Sequence, residues 1–384
     1  MKKILASYRS TIAPDNDTPF LHGPFTPAMD EYIADSDDIR VIGEIPKDLD
    51  GIYVRNTHNQ VHESIGICHP FDGDGMLHSM QFKDGRAIYR NRFVQTTGFL
   101  AEQAAGRALW PGMLSPGLYT RRGWGSMGAI PEALKKGERK LKFWRDIPAR
   151  FGVLPRHGDS ASVRWFEATP CHILHLANCH EDGDEVVMDG CIMSDPHKPA
   201  VGITDTSRQA AYDRIRAHLD KYRNPTLMYR WRFNLKTGRT QEEQIDDEIT
   251  EFPMVSNDYV GRPYRYSYNV LYQKGEWLFR GLKRYDLQTR ATQSFEYGAG
   301  RYGSEPQIGR RQGAAAEDDG YVLSFVNDMN TNQSECWVLD ASAITRGPLA
   351  RIVLPHRISA GTHACWVEGD RIRGEDRDKR YIPD

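Results

Sequence analysis

The chain has 384 residues, with 50 Lys+Arg against 52 Asp+Glu and a formal net charge of −2. That length holds one large domain or two ordinary ones. The near-balanced charge excludes a grip on nucleic acid by bulk cationic surface, because no excess of Lys and Arg is present to displace phosphate counterions. Apolar runs stay well short of the ~20 residues of a membrane helix. The opening MKKILASYRS has no apolar stretch or small-residue cleavage site, so no signal peptide is expected. Six cysteines without a CxxC pair argue against a disulfide framework and for reduced thiols in a cytoplasmic protein. The 18 Tyr, 14 Phe, 8 Trp and 34 Gly favour strands and tight turns.

Residues 1–38 are polar and rich in Pro and Asp, and read as an N-terminal arm. Residues 40–44 alternate, 51–55 form a short β run, and 77–82 lead through Lys83-Asp84-Gly85-Arg86 into 87–93, a hairpin pattern. Segments 95–135 and 194–224 lack strand texture and read as an apolar loop insertion and a helical insertion. Within the second, Ala210, Ala211, Ile215 and Leu219 have the spacing of a surface helix over 207–222. Residues 227–235 turn at Lys236-Thr237-Gly238, 276–287 read as a strand pair ending in Gln288-Thr289, and 321–326 pair with 336–340.

An apolar run closing on Asn or Asp recurs at Phe233-Asn234-Leu235, Tyr285-Asp286-Leu287 and Leu339-Asp340, at intervals of 52 and 54 residues. A period near ~50 with several strands per unit fits a β-propeller, with an irregular β-sandwich as the alternative. Outside the three insertions, about five and a half such units remain. The expected fold is all-β and a propeller, within a single domain over 1–384, the insertions forming a lid.

No GxGxxG after a strand, GxxxxGK[ST], GxSxG or HExxH is present. Asp72-Gly73-Asp74-Gly75 resembles half a calcium loop but lacks the closing carboxylate, and reads as a tight turn. Of the histidines, His22, His58, His62, His157, His197 and His218 stand in polar contexts and are expected to be solvated. His175 lies in the apolar run Cys171-His172-Ile173-Leu174-His175-Leu176-Ala177-Asn178, and His363 in Ser359-Ala360-Gly361-Thr362-His363-Ala364-Cys365-Trp366. A ring among aliphatic residues must find partners for both nitrogens, so each is either a satisfied core histidine or a ligand.

The words Gly51-Ile52-Tyr53-Val54-Arg55-Asn56, His69-Pro70-Phe71-Asp72-Gly73-Asp74-Gly75-Met76-Leu77-His78 and Tyr89-Arg90-Asn91-Arg92-Phe93-Val94 resemble the opening of the carotenoid cleavage oxygenase family. The resemblance continues through Arg164-Trp165-Phe166-Glu167, the His175 word, Glu251-Phe252-Pro253, Ser304-Glu305-Pro306, Leu354-Pro355 and the His363 word. It implies a seven-bladed propeller holding one Fe(II) through four histidines, with glutamates accepting hydrogen bonds from the outer ring nitrogens. His175 resembles the third ligand and His363 the fourth; Glu251 resembles the glutamate that orients His175, and Glu305 the one that orients His363. The implied reaction is O2-dependent cleavage of a conjugated C=C bond in a carotenoid, apocarotenoid or stilbene-like molecule, giving aldehydes or ketones. The implied partners are a lipophilic small molecule and O2, with no nucleic acid and no partner protein. Leu109, Trp110, Met113, Leu114, Leu118, Tyr119 and Trp124 fall where relatives carry a patch for membrane contact and substrate entry. Beside Arg121 and Arg122 they form either an interfacial anchor, which would make the protein peripheral on a membrane, or a loop packed on its own body.

The resemblance breaks at 128–132, where Gly125-Ser126-Met127-Gly128 passes almost directly to Glu132-Ala133-Leu134. Relatives carry there the first two iron histidines and the third glutamate. An internal deletion is therefore expected, leaving about five blades. His69 and His78 belong to words that do not ligate iron. His172, three residues from His175 on a strand, is expected to face the other way. The competing class is an impaired family member that binds an apolar ligand without cleaving it.

Overall fold

The computed structural model describes residues 2–112, 144–195 and 207–373. The 128–132 junction and residues Met113, Leu114, Leu118, Tyr119 and Trp124 lie outside them.

The chain divides into two compact units, one built from described parts of Met1–Arg139, Thr204–Ile215 and Phe295–Asp384, the other from Lys140–Ile203 and Arg216–Ser294. In the first unit, one antiparallel sheet runs in the order Lys3–Ser7, Asp30–Asp35, Arg86–Phe93, Gly75–Lys83, Gly51–His58, Ala364–Glu368. Part of the 1–38 segment is therefore strand. The expected hairpin forms with Lys83 opposite Arg86, and Asp84 and Gly85 take φ of 51° and 74°, the left-handed pair that matches strand twist. A second sheet runs Arg301–Tyr302, Gly320–Asp328, Gln333–Asp340, Pro348–Val353, Val41–Gly43, with Gln307–Arg310 also on Gly320–Asp328. Residues from the start of the chain thus complete sheets built by its end, at Val41–Gly43 and at Gly51–His58 against Ala364–Glu368. Tyr53, Phe82, Tyr89, Phe325, Val338 and Trp366 fill the space between them.

In the second unit, Thr240–Gln244, Leu227–Asn234, Glu185–Met193 and His172–Asp182 form one four-stranded sheet. Thr250–Met254, Tyr266–Tyr272, Phe279–Asp286 and Thr292–Glu296 form another, and Ala149–Val153 pairs with Arg164–Ala168. Four sheets of four or more strands and one of two are seen among the described residues. The expected strand pair over 276–287 is instead one strand, Phe279–Asp286: Leu278 O accepts from Gln273 N, so the turn falls earlier and joins this strand to Tyr266–Tyr272.

The recurring Asn/Asp has a structural cause. Asn234, Asp286 and Asp340 each end the third strand of a sheet. Asn234 Oδ1 accepts from the N–H groups of Lys236 and Thr237, Asp286 Oδ1 from Gln288 and Thr289, and Asp340 Oδ1 from Ser342. Each acidic or amide side chain caps the turn that starts the next strand or loop.

The insertions are partly described. The helix Thr97–Ala105 starts on Thr96, whose hydroxyl accepts from Phe99 N, and stops at left-handed Gly106. The expected surface helix is Arg208–Leu219, burying Ala210, Ala211, Tyr212 and Ile215.

The tight turn closes over His69–Asp72, where Asp72 N donates to His69 O and Asp72 Oδ2 accepts from His69 N at 2.7 Å, and Gly75 already begins the strand Gly75–Lys83. Asp74 Oδ2 accepts from Val61 N, and burial pushes the Asp74 carboxyl up to about 6. The folded state therefore holds that proton more tightly than the unfolded chain. The associated stability is complete below the ordinary value of 3.8 and is lost as pH rises through about 6. Asp74→Asn is expected to raise unfolding stability at pH 7.5 by up to about 3 kcal/mol and to leave it unchanged at pH 3.5, as measured by urea denaturation.

Candidate metal centre

His175 lies on His172–Asp182, an edge strand of its sheet. Ile173 opposes Ile192, His175 opposes Cys191, Leu176 opposes Gly190 and Asn178 opposes Asp189, so Leu174 and Ala177 are extra residues. These two β-bulges flank His175 and re-aim it. Gly190 permits the close approach, since a Cβ there would lie 2.8 Å from the Leu176 side chain and 3.0 Å from His175 O. The bulge at Leu174 also corrects one expectation. His172 opposes Met193 and His175 opposes Cys191, two positions apart, so the register puts both histidines on the same face.

His175 Nδ1 lies 2.6 Å from Glu251 Oε2, and the Glu251 side chain is fully buried. The same oxygen accepts from Phe252 N at 2.5 Å. Phe252 takes φ of 47°, a strained value for a bulky residue, and its ring stacks on His175 with centroids 4.4 Å apart. Glu251 Oε1 is buried without a hydrogen-bond partner. Lys221 is buried nearby, its ammonium pushed down by burial and held up in part by Glu251.

The His363 arrangement repeats the pattern. Glu305 Oε2 accepts from His363 N at 2.7 Å and lies 3.5 Å from His363 Nδ1. The Glu305 hydrogen bond raises the His363 pKa above its ordinary value. His363 itself takes φ of 63°. Its strand is pinned where Asn56 N donates to His363 O at 3.0 Å, and Gly361 allows this because a Cβ there would lie 2.3 Å from Asn56 O. Glu305 is buried, while the His363 side chain is 68% exposed. Tyr53 donates to Glu305 O, fixing the glutamate's backbone.

Each carboxylate thus faces a ring Nδ1 and takes a backbone N–H, and each arrangement contains a non-glycine residue in the left-handed region. A proton on Nδ1 leaves Nε2 with its lone pair, the donor that divalent first-row metals use. In donor chemistry each ring fits Fe(II), the ion that the resemblance implies. Among the described residues, no three His, Cys, Asp or Glu side chains are gathered closely enough to hold an ion.

Two histidines expected to be solvated are not. His62 is 4% exposed, its ring bonded to Thr11 Oγ1 and Gln103 Nε2. His58 closes the strand Gly51–His58 in a half-buried position, and its Nε2 is buried. Burial pushes its imidazole down to about 4, with the nearby charge of His363 the next cause. The strand runs three residues beyond the expected 51–55 and so takes in His58. His22, His157 and His218 are exposed as expected, and His197 lies outside the described residues. Of the apolar patch, Leu109 and Trp110 are half-buried against the helix Thr97–Ala105: Leu109 N donates to Glu102 Oε1 at 2.8 Å, and Trp110 approaches Gly98. Among the described residues, no helix is long and apolar enough to cross a membrane.

Antiparallel sheets of four to six strands, two of them shared by strands from both ends of the chain, define an all-β fold of the propeller kind. A family model described as retinal pigment epithelial membrane protein matches residues 25–124 and 124–368. A carotenoid 9,10(9',10')-cleavage dioxygenase of Crocus sativus is 34% identical over 262 residues, covering 64% of this chain and 46% of the relative. A carotenoid 9,10(9',10')-cleavage dioxygenase 1 of Arabidopsis thaliana is 25% identical over 502 aligned residues, covering 92% of this chain and 90% of the relative. The lignostilbene dioxygenase of Pseudomonas brassicacearum superposes with a TM-score of 0.76 at 18% identity, covering 93% of this chain and all of that one. This chain belongs to the carotenoid oxygenase family, whose named members are oxygenases; the apocarotenoid oxygenase of Synechocystis has been solved in a cobalt-substituted form. The 502-residue alignment exceeds the chain's own 384 residues, so more than a hundred positions of that relative have no counterpart here, and the two family matches meet at residue 124.

Proposed function

We propose that the chain is an Fe(II)-dependent dioxygenase that cleaves a conjugated C=C bond of a carotenoid, apocarotenoid or stilbene-like substrate. The observation that carries this reading is the repeated His–Glu arrangement, at His175–Glu251 and His363–Glu305, in a chain whose relatives are named for such cleavage. His175 and His363 would each offer Nε2 to iron. Ferrous iron, when bound, activates dioxygen. Glu251 and Glu305 would each accept a hydrogen bond from Nδ1, which orients the ring with Nε2 toward the metal. Phe252 locks the His175 ring from one face by stacking. The reaction balances without a reductant, since each carbon of the broken double bond leaves with one oxygen atom of O2. The apolar stretch from Leu109 and Trp110 through Met113, Leu114, Leu118, Tyr119 and Trp124 is proposed as the approach for lipophilic substrate, at a membrane surface where one is present.

The test is to load the protein anaerobically with Fe(II), add an apocarotenoid or a hydroxylated stilbene, and admit 18O2. One iron per chain and two carbonyl products each carrying 18O are expected. Iron binding with tight ligand uptake but no product would favour the competing reading, an apolar-ligand binder that has lost cleavage with the positions absent near residue 124.

A further inference from the structure

We infer that Thr57, His78, Tyr89 and His356 form a proton-sensing relay, in which a proton taken up at His356 reverses the hydrogen bonds inward as far as Thr57. The relay lies wholly within the first unit and is independent of the proposed function.

Three adjacent strands supply the inner members. Thr57 on Gly51–His58, His78 on Gly75–Lys83 and Tyr89 on Arg86–Phe93 are all fully buried. His78 Nε2 lies 3.1 Å from Thr57 Oγ1, and His78 Nδ1 lies 2.8 Å from the Tyr89 hydroxyl. The same hydroxyl lies 3.1 Å from Nε2 of His356, which is half-buried in the segment after Pro348–Val353. At the inner end, Thr57 Oγ1 lies 3.1 Å from Met76 O. The His356 ring stacks on Tyr32 with centroids 4.5 Å apart, and Tyr32 in turn donates its hydroxyl to Asp30 Oδ2.

A tyrosine hydroxyl carries one proton, so between two imidazole nitrogens it donates to one and accepts from the other. Its direction therefore ties the two histidines together. The other His356 nitrogen, Nδ1, makes a backbone hydrogen bond at Arg357 that favours a proton there, which leaves Nε2 of the neutral ring as an acceptor. Tyr89 then donates to His356, His78 donates from Nδ1 to Tyr89, and Thr57 donates to His78 Nε2. Once His356 is protonated its Nε2 donates, and only the opposite order pairs every group. His356 donates to Tyr89, Tyr89 to His78 Nδ1, His78 Nε2 to Thr57, and Thr57 to Met76 O. The second arrangement holds one proton more, drawn from solvent, and no bond between heavy atoms forms or breaks. The surrounding charges keep the extra proton on His356. Burial holds that imidazole down to about 4, with Asp30 favouring its charge and Lys2 and the Arg357 side chain opposing it. At His78, burial, Arg55 and His356 all oppose a charge, so this ring responds by moving its proton and not by gaining one. Arg55 is itself faced by Tyr53, Tyr89 and Cys336.

The test is long-range 1H–15N correlation on the full chain labelled with 15N-histidine, which reports the ring nitrogen that holds each proton. In wild type at pH 7.5 the His78 proton is expected on Nδ1. As acid protonates His356, the His78 proton is expected to move to Nε2 with the same midpoint. Tyr89→Phe cuts the link, with thermal melts to establish folding. In that variant His78 is expected to hold its proton on Nε2 already at pH 7.5, donating to Thr57, and to stay unchanged while His356 titrates. The wild-type titration needs no variant and decides alone should Tyr89→Phe not fold. Protonation of His356 with the His78 proton still on Nδ1 would overturn the relay. So would the same His78 nitrogen protonated in wild type and Tyr89→Phe at pH 7.5, or acid unfolding before folded His356 takes up a proton.

Discussion

Fe(II) affinity is expected to fall more than a hundredfold in His175→Ala and about 10–100-fold in Glu251→Gln, read by anaerobic titration with a chelator competitor. The first figure takes about 3 kcal/mol for one ligand, the share of each ligand in the ~10–16 kcal/mol of a four-ligand structural zinc site. The second reflects the loss of the carboxylate that orients the ring, an effect typical of groups bonded to a metal's histidine. In this chain the effect of Glu251 is sharpened by its surroundings. Its side chain is fully buried, its Oε2 is shared between His175 Nδ1 and Phe252 N, and Phe252 is held at a left-handed φ by that bond. A glutamine can accept from only one oxygen, and an amide turned the wrong way sets an N–H against Nδ1–H. Equal affinity in wild type and Glu251→Gln would mean that the pair serves packing alone.

Arg230→Met is expected to destabilise the second unit by about 3–5 kcal/mol in urea denaturation. Asp189 is fully buried, and its two oxygens take Arg230 Nε at 2.7 Å, Arg230 Nη2 at 2.8 Å and the Tyr264 hydroxyl at 2.5 Å. Removing the guanidinium leaves a buried carboxylate with one neutral donor. A second change, Asp189→Asn, is expected to recover most of the loss, because the uncompensated charge and not the missing side chain causes it. The site should register this too: Asp189 opposes Asn178 at the end of the bulged stretch that sets the direction of His175. A loss under 1 kcal/mol would show that water reaches the carboxylate.

The blade repeat was legible because its marker is chemical. Asn234, Asp286 and Asp340 recur at a fixed interval since each caps the same turn after the third strand of a sheet, and only Asn, Asp, Ser or Thr can do that. The Asp84-Gly85 turn was legible for a similar reason. The carboxylate partners of His175 and His363 came from the family resemblance; nothing in their local composition marks Glu251 or Glu305. Strand parity failed at His172 because bulges insert residues without any sequence mark beyond a permissive glycine on the partner strand, here Gly190. The turn within 276–287 was misplaced because Lys274-Gly275, which bends the chain at φ of 78°, lies just before that window. His58 was read as solvated from its polar neighbours Asn59 and Gln60, although both are themselves buried. Local polarity says little where side chains bond to backbone, as Asn59 does with Ala28.

The central claim is that the carboxylate-backed histidines are metal ligands. Its most direct test is anomalous diffraction at the cobalt edge from crystals grown with Co(II). Cobalt within bonding distance of Nε2 of His175 and of His363 is expected. Crystals with no cobalt on either ring would contradict it.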